Sequence, residues 1–277
     1  MSSIDSRPIS KNKNKSLLIK FLAILSIARW YNISLITISL YAIQIFIYEN
    51  SFSFLIQEKG IHLHLYVIAI DLIIVGGYLI NAFYDFEKDM INQPEKTYFN
   101  ILVSKRSCLN IYILCNILGI TLTFLNNTKI LIFSIFLILA WWIYSHKLRK
   151  KVLFGEISAS FLTISFFLGI ALFNLKFNLT LALFSTYIFT IDLTREIIKK
   201  MISLKGDLIV GEKSIPIYFG IKKSKYIIFF LMISSLLAIL SLLPIVLNRS
   251  FSYYFILSFA VISLSLIHIW RCRRVGV

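Results

Sequence analysis

Carboxylates are scarce in this chain: it has 13 Asp and Glu among 277 residues, against 29 Lys and Arg, and only 15% of its residues are charged. A soluble domain carries about 25% charged residues, so an ordinary water-soluble enzyme is excluded. With 58% hydrophobic residues, so is a disordered chain. Ten Gly and four Pro are too few for a loop-rich β fold. The three cysteines, Cys108, Cys115 and Cys272, form no CxxC pair and no metal-ligand spacing, which excludes a disulfide-stapled domain and leaves them as structural filler. A cleavable signal peptide is also missing, because Met1 to Ser16 is polar and basic and no small-residue cleavage site follows a short apolar core.

What the chain has in abundance is long, nearly uncharged apolar runs, with a mean hydropathy of +0.82. Runs of about 18–22 such residues match the thickness of a bilayer. The pattern predicts an all-α, polytopic transmembrane bundle with about eight spans, near 33–48, 61–83, 108–125, 129–145, 152–173, 177–194, 226–247 and 251–269. Leu17–Ile27 is too short to span and is expected to lie along the interface. The expected organisation is a polar, basic tail over 1–16, one membrane domain over 17–269 and an atypical tail over 270–277.

The net charge of +16 would point to nucleic acid in a soluble protein, but here the basic residues lie between the apolar runs. Of the 29 Lys and Arg, 25 fall in the N-terminus, the 84–107, 146–151 and 195–225 loops and the tail; only Lys59, Lys129, Lys176 and Arg249 lie opposite. The positive-inside rule puts the first set in the cytoplasm, with both termini inside. This makes the chain a multi-pass protein of the cell membrane, with a lipid bilayer and no nucleic acid as its partner.

Against that background each acid is informative. Asp85, Glu87, Asp89, Asp192, Glu196 and Asp207 all fall at the cytoplasmic ends of two spans. Spacing of four, taken twice, puts Asn81, Asp85 and Asp89 on one helical stripe with no Lys or Arg on it. Such oxygens repel one another unless a cation sits among them, and hard oxygen ligands suit Mg²⁺. A solvated acidic helix end is the plain alternative. A second cluster runs Asp192-Leu-Thr-Arg195-Glu196-Ile-Ile-Lys199-Lys200, then Ser203 and Gly206-Asp207. It reads either as mutual salt bridges or as metal carboxylates beside cations that grip phosphate.

Five pieces in order then resemble the UbiA superfamily of intramembrane prenyltransferases. Arg29-Trp-Tyr-Asn32 is similar to R-P-x-N. Asn81 through Asp89, followed by Asn92-Gln93-Pro94-Glu95-Lys96, resembles the first signature. Tyr144-Ser145-His-Lys147-Leu148 with Gly155-Glu156 resembles Y-S-x-x-L-K…G-N. Arg195 through Asp207 resembles the second signature, and Gly211-Glu-Lys213-Ser214-Ile215-Pro216 with Gly220 resembles the stretch after it. The R-E-I-I-K form resembles the geranylgeranylglyceryl phosphate geranylgeranyltransferase type.

The resemblance implies an isoprenyl diphosphate donor, a phosphate-bearing glycerol lipid acceptor and Mg²⁺ as cofactor. It implies metal ligation by Asn81, Asp85, Asp89, Glu196 and Asp207, and substrate binding by Arg29, Asn32, Lys96, Arg195, Lys199 and Lys200. Tyr144 and Lys147 join Asp85 and Asp89 as catalytic candidates, with Arg29, Asn32 and Lys147 on the acceptor side. Tyr84, Trp141, Trp142 and Tyr144 are candidates to shelter an allylic cation. The other readings are transfer to an aromatic quinone precursor, a non-catalytic isoprenoid-binding relative and a transporter. A transporter should carry its ionisable groups at mid-membrane, and here the acids gather at one face.

Three departures stand out. Ala82 stands where the family usually has Asp, though off the acidic stripe. In the second signature Lys200 and Ser203 replace two carboxylates, which puts a second metal position in doubt. The family usually has nine spans, and the ending after Leu266 resembles no family ending; a premature end or frameshift would explain both, and an eight-span variant is the alternative. Elsewhere, Asp71 on the outer half is expected to make a helix–helix hydrogen bond or to be a protonated acid, His62 and His64 to mark the outer interface, and Glu156 to cap or line the bundle.

Overall fold

The computed structural model describes the backbone of residues 13–49, 52–92, 103–209 and 211–247, with side chains apart from 13–18, 87–92 and 246–247. The expected span 251–269, the tail 270–277, most of the N-terminal tail and Lys96 lie outside the described residues, as does the side chain of Asp89.

Within them the fold is helical throughout. Its helices are α1 (Lys13–Ile27), α2 (Trp30–Ile43), α3 (Glu58–Asn92), α4 (Lys105–Phe124), α5 (Thr128–His146), α6 (Phe154–Asn174), α7 (Leu179–Ile202), α8 (Leu204–Ile209) and α9 (Ile215–Leu247). A π-helical turn, Gln44–Glu49, extends α2, and short 3₁₀ turns at Ser53–Ile56 and Leu148–Lys150 lead into α3 and α6. Six of the described helices are long and apolar enough to cross a membrane: α2 with its extension, and α3, α4, α5, α6 and α9. α7 is long enough, but its last turns carry Asp192, Arg195, Glu196, Lys199 and Lys200. It stands where a span was expected and ends in charge.

α3 forms the axis. Its apolar window is 61% buried, against 22–33% for α2, α4, α5 and α9, which present their outer faces. Leu63, Tyr66, Ile70, Ile73 and Ile74 from α3 meet Leu40 of α2, Leu137 of α5, Phe166 and Ile170 of α6 and Leu181 of α7 in the main core. Outward-facing Leu35, Ile38, Ile117, Phe136, Phe230 and Leu237 remain exposed, as on a surface solvated by lipid. α1 docks Ala23 and Ile27 against Leu79 of α3 and Cys108 of α4; beyond its end at Ile27, Arg29, with a left-handed φ of 52°, turns the chain into α2.

The tight turns form as Asn-rich sequence dictates. Asn127 caps α5 by accepting from Lys129 N–H at 3.0 Å, and Asn178 caps α7 by accepting from Thr180 N–H at 2.9 Å. Asp71 meets its expectation: Thr37 Oγ1 donates to it at 2.8 Å across α2 and α3. His64 lies 2.7 Å from Tyr41 Oη through Nδ1.

Two stretches expected as long loops differ. α3 continues to Asn92, and most of 195–225 is helical, being the end of α7, α8 and the start of α9. Their polar residues recur at helical spacing, so the helices run on past the apolar segments. Within α9 the helix breaks at Gly220, whose φ of 79° and ψ of 163° suit only glycine.

Candidate functional site

The polar end of the bundle is assembled from α3, the turn after α5, α6, α7, α8 and the loop before α9. Asn81 and Asp85 stand one turn apart on α3, and Asn81 Nδ2 donates to Asp85 Oδ2 at 3.0 Å. The stripe was expected to be bare of basic residues, and on α3 it is. The structure corrects the inference drawn from that: Arg149, from the turn after α5, inserts its guanidinium there. It ion-pairs with Asp85 and donates to Asn81 Oδ1 at 3.2 Å and to Glu212 Oε1 at 2.7 Å. The planar fork spreads its donors over two nitrogens to reach three acceptors, a span that the single nitrogen of a lysine does not offer. The turn holds Arg149 in place because Gly155 closes on its carbonyl, and a Cβ there would sit 2.8 Å from that oxygen.

Glu212 faces a second cation with its other oxygen. Lys200 Nζ donates to Glu212 Oε2 at 2.7 Å and lies 3.6 Å from Asp207 Oδ2, to which Ser203 Oγ donates at 3.2 Å. Arg149, Lys200, Asp207 and Glu212 are all more than nine-tenths buried. Charges so buried persist only when paired, and here they alternate in sign from Asp85 to Asp207. Glu156, also buried, accepts from Ile215 N–H at 2.8 Å and so caps α9.

A second network lines α7. Arg195 pairs with Asp192 at 2.8 Å and with Glu196 at 3.4 Å; Lys199 pairs with Glu196 at 3.3 Å; and Thr163 Oγ1 donates to Asp192 at 3.0 Å. The acids are buried, whereas Arg195 and Lys199 are more than half exposed, so both cations keep donors facing outward. Burial opposes the charge of Glu196, which lies past the expected span 177–194, but Lys199 and Arg195 outweigh it and hold this carboxyl below the usual range.

Between the networks runs a row of rings. Tyr78 sits 5.8 Å from Trp141, which is 6.2 Å from Tyr144. The Arg29 guanidinium lies 5.4 Å over the Tyr78 ring, and Asn32 Nδ2 donates to Tyr78 Oη at 3.5 Å. Of the four aromatics expected to shelter a cation, Trp141 and Tyr144 are buried, while Trp142 stacks on His146 and Tyr84 packs beside the same ring, both partly exposed. Ser145 Oγ, Ser214 Oγ and Glu156 Oε2 are buried without a hydrogen-bond partner among the described residues. Buried polar groups are normally satisfied, so these atoms are where a polar guest would be accepted.

The structure thus brings Asn81, Asp85, Lys200 and Asp207 into one chain of contacts, with Glu196, Arg195 and Lys199 in a second and Arg29 and Asn32 at Tyr78. Lys147 is exposed at the end of α5. Ala82 turns away from the acids, into a small apolar pocket with Ile27, Val103 and Cys108. Sequence reasoning missed Arg149, Glu212 and Tyr78. A signal for Arg149 existed, since the Y-S-x-x-L-K pattern places its basic residue at 149, two positions past Lys147. Tyr78 likewise shares a helix face with Asn81 and Asp85.

The model of the UbiA prenyltransferase family matches residues 51–275. The chain belongs to that family. A digeranylgeranylglyceryl phosphate synthase of Korarchaeum cryptofilum is 33% identical over 205 residues, covering 71% of this chain and 69% of the relative. One from Saccharolobus solfataricus is 31% identical over 218 residues, covering 77% and 75%. Among solved structures, a digeranylgeranylglyceryl phosphate synthase superposes with a TM-score of 0.59 at 25% identity, covering 83% of this chain and 78% of that one. A UbiA homolog from Archaeoglobus fulgidus bound to DMAPP and Mg²⁺ shares the fold, with a TM-score of 0.60 at 15% identity over 77% of this chain and 75% of that one. This UbiA-family chain is therefore a membrane-embedded helical prenyltransferase.

The family implies Mg²⁺, and the two halves of the site fit it differently. Asn81 and Asp85 offer hard oxygens one turn apart, the donor chemistry Mg²⁺ requires, but Arg149 already engages one oxygen of Asp85 and Asn81 Oδ1, which leaves Asp85 Oδ2, now accepting from Asn81, for an ion. Asp207 and Glu212 are oxygen donors too, but Lys200 already stands between them. Among the described residues, no group of three or more His, Cys, Asp or Glu is arranged around a metal position.

Proposed function

We propose that this protein transfers a geranylgeranyl group from its diphosphate to a glycerol lipid carrying a phosphate, at the cytoplasmic face of the membrane, using one membrane domain over 17–269. The observation that carries the reading is the similarity, above 30% identity and across more than two thirds of both chains, to relatives named for that synthesis. The paired but outward-facing cations of α7 support it.

In this reading Arg195 and Lys199 bind the donor's diphosphate oxygens, Arg as a fork and Lys as a point charge. Asn81 and Asp85, with Asp89 on the same helix, would hold Mg²⁺, which when bound supplies further neutralisation of the leaving diphosphate. The carbon–oxygen bond breaks with its electron pair on the diphosphate, leaving an allylic cation. Trp141, Tyr144 and Tyr78 face it with π surfaces and keep water away. The acceptor hydroxyl adds to that carbon and passes its proton to the released diphosphate, while Arg29, Asn32 and Lys147 orient the acceptor and Lys96 contributes to substrate binding. The donor's hydrocarbon chain runs between the helices.

Membranes containing the protein should convert labelled geranylgeranyl diphosphate only when given Mg²⁺ and a glyceryl phosphate acceptor. Asp85→Asn should abolish Mg²⁺-dependent donor binding, whereas Asp71→Asn, about 21 Å along the same helix, should leave it largely intact. Transfer to an aromatic acid instead, or equal loss in both variants, would refute the reading.

A further inference from the structure

The acids of α8 and the loop before α9 resemble a cation site, and the cation in it belongs to the chain. Lys200 is 5% exposed, and its ammonium lies 2.7 Å from Glu212 and 3.6 Å from Asp207. Two further features show that this is built in and not a surface lysine folded inward. Ser203, one turn on, donates to the same Asp207 oxygen that faces Lys200. Glu212 is held from behind by its own backbone N–H, which donates to the Asp207 carbonyl at 2.9 Å, and its other oxygen is engaged by Arg149.

We infer that the Lys200 ammonium is a fixed, protein-borne cation filling the position of a second metal ion, so that the site works with a single divalent ion on the Asn81–Asp85 side, bound through Asp85 Oδ2, the oxygen turned from Arg149 and now accepting from Asn81. The inference rests on the proposed diphosphate chemistry and deepens it. An Mg²⁺ ion on the Glu212 oxygen that Lys200 holds at 2.7 Å would itself sit about 2.1 Å from that oxygen, hence no more than about 5 Å from the ammonium. At that separation, in a buried site, the two positive charges exclude each other. Lys200 and a metal ion are alternatives there.

Two measurements test this on the full-length protein in detergent, with Mn²⁺ and labelled inorganic diphosphate as probes. Retention of diphosphate by the unaltered protein should rise with a slope of about one in Mn²⁺ concentration, with about one Mn²⁺ bound per chain by electron paramagnetic resonance. The double substitution Lys200→Asp with Ser203→Asp should raise both values to about two, the pair being made together because neighbouring charges do not act additively. A slope or stoichiometry near two in the unaltered protein overturns the inference while leaving the diphosphate reading standing. So does a folded double variant that still takes one ion; if the variant does not fold, the unaltered protein decides alone. Failure of the unaltered protein to retain diphosphate at any Mn²⁺ concentration overturns the proposed function, and the inference with it.

Discussion

Glu212 accepts from the guanidinium of Arg149 at 2.7 Å, both side chains buried, and so joins the turn after α5 to the loop before α9 across 63 residues of chain. Removing Glu212 takes one of two carboxylate partners from each of two buried cations, leaving Arg149 with Asp85 alone and Lys200 with Asp207 alone. Glu212→Ala is expected to destabilise the bundle by about 3–5 kcal/mol, and Glu212→Gln, which keeps hydrogen bonding, by less. Thermal unfolding in detergent, followed by the emission of Trp141 and its neighbours, checks this. An unchanged midpoint for Glu212→Ala would mean that the pair is solvated.

Arg149 is expected to matter more to turnover than Lys147. Arg149 contacts three acceptors in the site, and Lys147 is exposed at a helix end. Arg149→Ala should lower turnover by about 10²-fold or more, the scale of losing one preorganised electrostatic group. Arg149→Lys should recover only part of it, because a point charge cannot span Asn81, Asp85 and Glu212. The loss from Lys147→Ala should be the smaller. The reverse order in steady-state rates would restore Lys147 to the centre of the site.

The 25-to-4 split of basic residues predicts an orientation that labelling can check. In a background with Cys108, Cys115 and Cys272 replaced, Lys213→Cys and Lys150→Cys should react with an impermeant maleimide only from the cytoplasmic side. Lys176→Cys, in the turn between α6 and α7, should react only from outside. Labelling of Lys213→Cys from outside would reverse the orientation and move the donor site with it.

Much of the architecture was legible because long apolar runs have little choice but to form helices in a bilayer. The helix boundaries were less so. Hydropathy registers where lipid ends, whereas α3 and α7 run several turns further on polar residues that stay helical. The acids at 81–89 and 192–207 could be singled out because carboxylates are so rare here. Their partners could not, because pairing Arg149 with Asp85, or Lys200 with Glu212, depends on how helices cross, which no local spacing records. Lys200 was visible as a departure from the family pattern, but what it touches was not.

The loop before α9 is tied by backbone at three points: Glu212 N–H to the Asp207 carbonyl, Lys213 N–H to the Lys150 carbonyl, and Ile215 N–H to the Glu156 carboxylate. Those ties reach α8, the turn after α5 and α6, so the loop is a strap riveted to three neighbours. A strap fastened in this way cannot swing aside as a door. With that loop as a stationary frame, the polar end of a guest is expected to be admitted by side chains exchanging partners around it.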